Sequence, residues 1–158
     1  MITLNSVHKS FKDKHVLRGI TLEIPRSGSL VVIGGSGTGK SVLLKCILGL
    51  VTPDQGQILL DGKDVSVGNR EAFLDRFGML FQGGALFDSL NIWENVGFRL
   101  RRGPKALNKS DARDKAIEKL RRVGLGPEVA NLYPAELSGG MQKRVGLARA
   151  IATAPEII

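Results

Sequence analysis

The chain is poor in the residues that would tie it to disulfide scaffolds, membrane spans or base stacking. It has one cysteine, one tryptophan and one tyrosine in 158 residues, and aromatic side chains make up only 5%. A lone thiol, Cys46, excludes an internal disulfide. Its neighbours, Val42-Leu43-Leu44-Lys45-Cys46-Ile47-Leu48, are mostly apolar, so a buried, structural cysteine is expected. No stretch approaches the ~18 uninterrupted apolar residues needed for a membrane-crossing helix. The start, Met1-Ile2-Thr3-Leu4-Asn5, lacks the basic-then-apolar layout of a secretion signal. These absences lead to the expectation of a cytosolic protein. There is no internal repeat and no low-complexity tract. Hydrophobic content of 42% fits a folded globular α/β protein of about one domain.

Charge is what the chain has in excess, with a net value of +8. Much of it lies in Arg99, Arg101, Arg102, Lys105, Lys109, Arg113, Lys115, Lys119, Arg121 and Arg122. Asp111, Asp114 and Glu118 interleave with these at helical spacing, the pattern of a solvated helix face. No aromatic residue sits among them to stack on a base, so no nucleic-acid partner is expected. A basic surface beside an anionic membrane leaflet is equally compatible with the charge.

Along the chain, residues 2–7 and 21–24 read as short strands, and Pro25-Arg26-Ser27-Gly28 as a turn. Leu30-Val31-Val32-Ile33 is a wholly apolar run of the kind buried in a parallel sheet. A glycine-rich loop follows, and then residues 41–50 read as a helix. Residues 57–60 form a strand candidate ending in the hairpin signal Asp61-Gly62. A short helix near 70–76 precedes a strand over 78–81. Residues 91–100, 110–123 and 138–152 read as helices, with 101–109 and 124–136 as connections. Pro155-Glu156-Ile157-Ile158 reads as the opening of another buried strand.

Two glycine-rich turns carry the chemistry. Gly34-Gly35-Ser36-Gly37-Thr38-Gly39-Lys40-Ser41 matches the P-loop pattern and lies between a strand candidate and a helix candidate, as that motif requires. Glycines let backbone N–H groups wrap a polyphosphate in conformations that a Cβ would forbid. The following helix aims the positive end of its dipole at the same anion. Lys40 is placed to reach the β- and γ-phosphates of ATP and Ser41 to ligate Mg²⁺, with Val42 next in the nucleotide-binding stretch. The second turn, Leu137-Ser138-Gly139-Gly140-Met141-Gln142, offers a hydroxyl and two glycines at a helix start. Read alone, it is either an anion nest or a serine-capped helix.

With both turns in view the sequence resembles the ABC ATPases. Residues 137–142 and the following Lys143-Arg144-Val145-Gly146-Leu147-Ala148-Arg149-Ala150-Ile151-Ala152 are similar to that family's signature helix. The resemblance implies a head-to-tail dimer in which Ser138, Gly139, Gly140, Met141 and Gln142 of one copy face ATP held by the other. The fifth signature position, commonly Gln, is Met141 here. The resemblance also implies that Gln82 is the Q-loop glutamine, contacting Mg²⁺ and the attacking water. It places Phe11 against adenine, with Val16 packing beside it. His8 and His15 match no catalytic position of the family.

A narrower likeness lies in residues 77–96, Phe77-Gly78-Met79-Leu80-Phe81-Gln82-Gly83-Gly84-Ala85-Leu86-Phe87-Asp88-Ser89-Leu90-Asn91-Ile92-Trp93-Glu94-Asn95-Val96. This stretch resembles the Mla/Mkl-type ATPases that drive phospholipid trafficking with MCE-domain proteins. The implied partners are an integral-membrane permease and an MCE-domain protein, with the chain on the cytoplasmic face of the inner membrane. Leu86, Phe87 and Leu90 suit either a groove for a permease helix or the core of the helical arm.

The fold class expected is α/β: a P-loop core with a β-rich N-terminal segment and a helical subdomain, truncated at the Walker B strand. In residue terms, 1–89 form the ATP-binding core, 90–152 the helical subdomain, and 153–158 the start of the Walker B strand. The resemblance implies that an Asp-Glu pair and a switch histidine follow in family members. An N-terminal fragment that hydrolyses ATP poorly alone is therefore expected. Two other classes stay open: a soluble ABC-type ATPase acting on nucleic acid or ribosomes, and a non-hydrolytic nucleotide-binding module. Ser41 and Ser138 lie about a hundred residues apart with no heptads between them, unlike the coiled-coil DNA-repair members.

Overall fold

The computed structural model describes residues 1–158 as two compact units, Met1–Leu74 and Asp75–Ile158. The first unit is built on an antiparallel sheet in the order β2-β1-β3-β4, from β1 (Ile2–Phe11), β2 (Lys14–Ile24), β3 (Gln55–Leu60) and β4 (Lys63–Asp64). In β1 the buried positions are Ile2, Leu4 and then Val7, so the period of two slips by one residue. A β-bulge explains the slip. The register shifts between Leu4 and Val7, where Ser6 takes φ 45° and its amide donates to Thr21 Oγ1 at 2.9 Å. Ile58 and Leu60 of β3 and Leu17 of β2 are also buried.

The turn between β3 and β4 is Asp61-Gly62, both with positive φ (50° and 78°), as tight hairpin turns require. The Asp61 carboxylate also takes the Met1 ammonium at 2.8 Å and Arg26 at 2.9 Å. Helix α1 (Lys40–Ile47) buries Leu43, Cys46 and Ile47. Cys46 is fully buried, and desolvation pushes its thiol above the ordinary value, away from thiolate chemistry. A short helix α2 (Arg70–Leu74) closes the unit.

The second unit packs α3 (Ile92–Val96), α4 (Lys109–Arg122) and α5 (Gly139–Ala150) around one apolar core. Ile92, Trp93, Ala116, Leu120, Val145 and Ala148 are its centre. Each helix starts at a side-chain cap: Asn91 in a capping box with Glu94, Asn108 accepting from the Asp111 amide, and Ser138 accepting from the Met141 amide. The helix expected over 91–100 is regular only to Val96, where Gly97 caps it and irregular turns follow. The connection expected at 124–136 contains two 3₁₀ turns, Pro127–Asn131 and Pro134–Glu136, each opened by the proline.

Three runs expected as strands, 30–33, 78–81 and 155–158, are not strands. Residues 30–33 pair with none, and Val31 and Ile33 are 78% and 89% exposed. Residues 78–81 pair with none, 155–158 contribute a single parallel bridge from Ile157 to Phe77, and Leu80, Phe81 and Ile158 are exposed. Apolar content marks a demand for burial, but a strand exists only where a neighbour supplies the ladder hydrogen bonds.

Asn95 is the one fully buried polar side chain of the second unit, and every polar atom of it is used. Its Oδ1 accepts from the Phe87 amide at 2.7 Å. Its Nδ2 donates to the carbonyls of Phe87, Leu90 and Asn91 at 3.0, 2.9 and 3.1 Å. Asn95→Leu keeps the volume but orphans these groups, and should cost about 2–4 kcal/mol in urea unfolding. A loss below about 0.5 kcal/mol would show that the loop does not depend on Asn95.

Asp54 makes a second testable tie. It accepts Lys9 Nζ at 2.6 Å and the Ser10 amide at 2.7 Å. The Lys9 hydrogen bond first, then that of Ser10, holds its carboxyl below the ordinary value. A depressed pKa means stabilisation that is present above the unfolded-state value, about 3.9, and lost as pH falls through the folded one. An NMR titration should place the Asp54 midpoint below the unfolded-state value, and a midpoint at or above that value would contradict the tie.

Candidate nucleotide site

The P-loop connects residues 30–33 to α1, and its local geometry is dictated by glycine. Gly39 caps α1 with φ 100°, a conformation that a side chain rarely adopts. A Cβ there would also lie 2.8 Å from Val16 Cγ1. Glycine is therefore required twice over, and Val16 of β2 sits directly behind the loop. Thr38 Oγ1 braces the turn by donating to the Gly35 carbonyl at 2.9 Å. A Cβ on Gly37 would meet nothing within 4 Å, so that side of the loop is open.

Lys40, the first residue of α1, folds its ammonium back over the loop. Nζ donates to the carbonyls of Gly34 at 2.7 Å and Gly35 at 2.6 Å. The loop thus brings together in sequence a cation, a helix N-terminus and the backbone amides of Gly35, Ser36, Gly37 and Gly39, which donate to no backbone carbonyl. That donor set fits a polyphosphate. Ser41 is exposed on the first turn of α1, and Val42 is half-buried. No group of three or more His, Cys, Asp or Glu gathers anywhere, so a metal cage built from such side chains alone is not present. Mg²⁺ held by a hydroxyl and phosphate oxygens needs no such cage.

Phe11 ends β1, 47% exposed, with the Lys9 ammonium 5.5 Å from its ring centroid. An exposed aromatic face is free to stack.

In the second unit, Gln82 lies in a tight turn closed by the Gly84 amide to the Phe81 carbonyl at 3.0 Å, and it is exposed. Ser138 Oγ accepts the Met141 amide at 3.3 Å, and Ser138, Gly139 and Gly140 are exposed at the start of α5. Met141 packs against the helical core. Gln142 turns inward, its Nε2 donating to the carbonyls of Pro134 at 2.9 Å and Leu137 at 3.3 Å. The motif thus divides its labour: Ser138, Gly139 and Gly140 are presented outward, while Met141 and Gln142 hold the turn. Of the three apolar side chains at 86, 87 and 90, Leu86 packs on the core and Leu90 is half-buried, while Phe87 is 43% exposed.

Sequence reasoning assigned no role to Asn95 or to Arg149. Arg149 donates from Nη1 to the Ala85 carbonyl and from Nη2 to the Gly84 carbonyl, both at 2.8 Å. No sequence signal points to it, because its partners are main-chain atoms more than sixty residues away.

Residues 17–158 match the family described as ABC transporter. Over 99% of its length the chain is 45% identical to a Mycobacterium leprae protein named "Probable ribonucleotide transport ATP-binding protein mkl", of which it covers 46%. It is 42% identical to the Arabidopsis thaliana "Protein TRIGALACTOSYLDIACYLGLYCEROL 3, chloroplastic", covering 96% of this chain and 44% of that one. The chain thus spans about half the length of these curated relatives. The solved dimeric ATP-binding cassette MJ0796, bound to ADP and Pi after hydrolysis, superposes with a TM-score of 0.84 at 30% identity, over 98% of this chain and 71% of that one. The fold is accordingly that of the ABC nucleotide-binding cassettes, and the chain belongs to the ABC transporter family.

Proposed function

We propose that this chain is the nucleotide-binding portion of a transporter's ATP-binding subunit, coupling ATP binding and hydrolysis to transport across or between bacterial membranes. The observation that carries the reading is Lys40. Its ammonium stands on the first turn of α1, held by the two loop carbonyls of Gly34 and Gly35. Phosphate oxygens of ATP would replace these neutral acceptors with charged ones, a stronger pairing for an ammonium. Ser41 and Gln82 would each serve as a ligand for Mg²⁺, which would supply positive charge to neutralise that developing during phosphoryl transfer. Phe11 would stack on the adenine and Val16 would back the loop.

In this reading Ser138, Gly139 and Gly140 close on the nucleotide of a second copy, arranged head to tail. Their outward exposure at a helix N-terminus supports the assignment. Phe87 on its exposed loop would meet an integral-membrane permease, with the chain on the cytoplasmic face of the membrane. The three segments 1–89, 90–152 and 153–158 would serve as core, helical subdomain and start of the Walker B strand.

Phospholipid is the cargo we favour, with an MCE-domain protein as a further partner. The run Gly84-Ala85-Leu86-Phe87-Asp88-Ser89-Leu90 supports it, and the plant relative's name, which contains a diacylglycerol glycolipid, supports lipid as the broader class. The mycobacterial relative is named for ribonucleotides instead, so the cargo needs its own test.

Lys40→Ala should weaken binding of a fluorescent ATP analogue by about tenfold or more, equivalent to about 1.4 kcal/mol, and abolish turnover of the complete protein. Unchanged affinity would remove the basis of the reading. For the cargo, the complete protein would be reconstituted with its permease in liposomes. Turnover should rise at least about twofold with anionic phospholipid acceptor vesicles, and not with ribonucleotides. Stimulation by ribonucleotides alone would reverse the lipid assignment.

A further inference from the structure

The segment after Gln82 is held in a conformation that it would not keep alone. Gly83, Gly84 and Ala85 have successive positive φ values of 73°, 80° and 44°. Glycine tolerates this region, but Ala85 brings its Cβ towards a carbonyl oxygen there. Strain of this kind persists only where the surroundings over-determine the backbone.

Here the surroundings are α5 and Asn95. The Arg149 guanidinium spans two consecutive carbonyls, Gly84 and Ala85, with one nitrogen on each at 2.8 Å. Its planar fork matches that pair, and a lysine ammonium offers no such geometry. The guanidinium lies 5.9 Å from the Phe87 ring, and burial lowers its pKa. The main chains also meet closely. A Cβ on Gly146 would come within 2.9 Å of Gly84 Cα, and a Cβ on Gly84 within 2.9 Å of the Gln142 carbonyl. At the far end Asn95 clamps Phe87 and Leu90.

We propose that Arg149 is a positioning residue that fixes the turn bearing Gln82 to the helix bearing Ser138, Gly139 and Gly140, so that both respond to nucleotide as one body. This rests on the reading of Gln82 and the signature turn as nucleotide-facing. Gln82 has no hydrogen-bond partner for its own side chain, so its direction is set by the backbone that follows it. That backbone is pinned from the last turn of α5. The first turn of the same helix presents the signature hydroxyl, and one continuous helix joins the two ends.

The experiment uses the complete ATPase with its partner subunits and four variants: Arg149→Ala, Arg149→Lys, Gln82→Ala and the double Gln82→Ala/Arg149→Ala. Arg149→Ala should lower kcat by about tenfold or more while leaving nucleotide affinity and KM within about twofold. Exchange of the amides of residues 84–87 should accelerate by about tenfold or more, with α4 amides unchanged. Arg149→Lys should restore neither, because one ammonium cannot hold both carbonyls. The double variant should turn over no more slowly than Gln82→Ala alone, since Arg149 acts through Gln82. Losses that multiply in the double variant, or unaltered exchange at 84–87 after Arg149→Ala, would overturn the proposal. Should Arg149→Ala fail to fold, Arg149→Lys carries the same comparison. If the unaltered protein binds no ATP, the functional reading fails by itself, and the exchange data still decide whether Arg149 fixes the turn.

Discussion

An ammonium held over a loop of bare backbone is the interaction on which the site depends. Lys40 cannot reach the carbonyls of Gly34 and Gly35 unless the chain doubles back within six residues. That reversal needs φ 76° at Gly37 and φ 100° at Gly39. Gly39 is the stricter position, because Val16 occupies the space where a Cβ would go. Sheet, loop and helix are thereby bound to one another: β2 backs the loop, the loop starts α1, and α1 positions the lysine.

The second unit solves a related problem by different means. Its signature turn also exposes main chain at a helix start, but Ser138 caps the helix and Gln142 ties down the carbonyls of Pro134 and Leu137. Exposed glycines are entropically costly to order. A half-buried amide below them ties the turn down while leaving its outer face free. Asn95 and Arg149 act on the loop after Gln82 in the same way, each gripping main chain with a planar side chain. Both units thus present backbone outward and fix it from behind.

Legibility in the sequence followed the range of the interaction. The helix starts at Asn91 and Ser138 and the Asp61-Gly62 turn are local signals, and the structure has the elements they announce. The bulge at Ser6 was hidden because a slip in period is invisible until the partner strands are known. Residues 30–33 and 78–81 carry the composition of buried strands, yet composition cannot supply hydrogen-bonding neighbours. At the site, motif residues could be named beforehand because spacing along the chain defines them. The division between outward Gly139 and Gly140 and inward Gln142 could not, since it depends on carbonyls five and eight residues upstream. Arg149 was out of reach for the same reason.

Cargo is the least legible property, and the geometry explains why. On the proposed reading the P-loop and the signature turn both meet phosphate, so neither distinguishes one transported molecule from another, and discrimination would reside where the chain meets its partners. The Phe87 ring stacks on Phe98 at 4.6 Å, and the Arg102 guanidinium covers Phe98 at 3.5 Å. On the proposed reading this aromatic and cationic cluster reads a permease, and the permease reads the cargo. Its anchor is the Asn95 clamp on Phe87, in the same loop that begins at Gln82. On the same reading, a change of partner would be felt at the turn that bears Gln82.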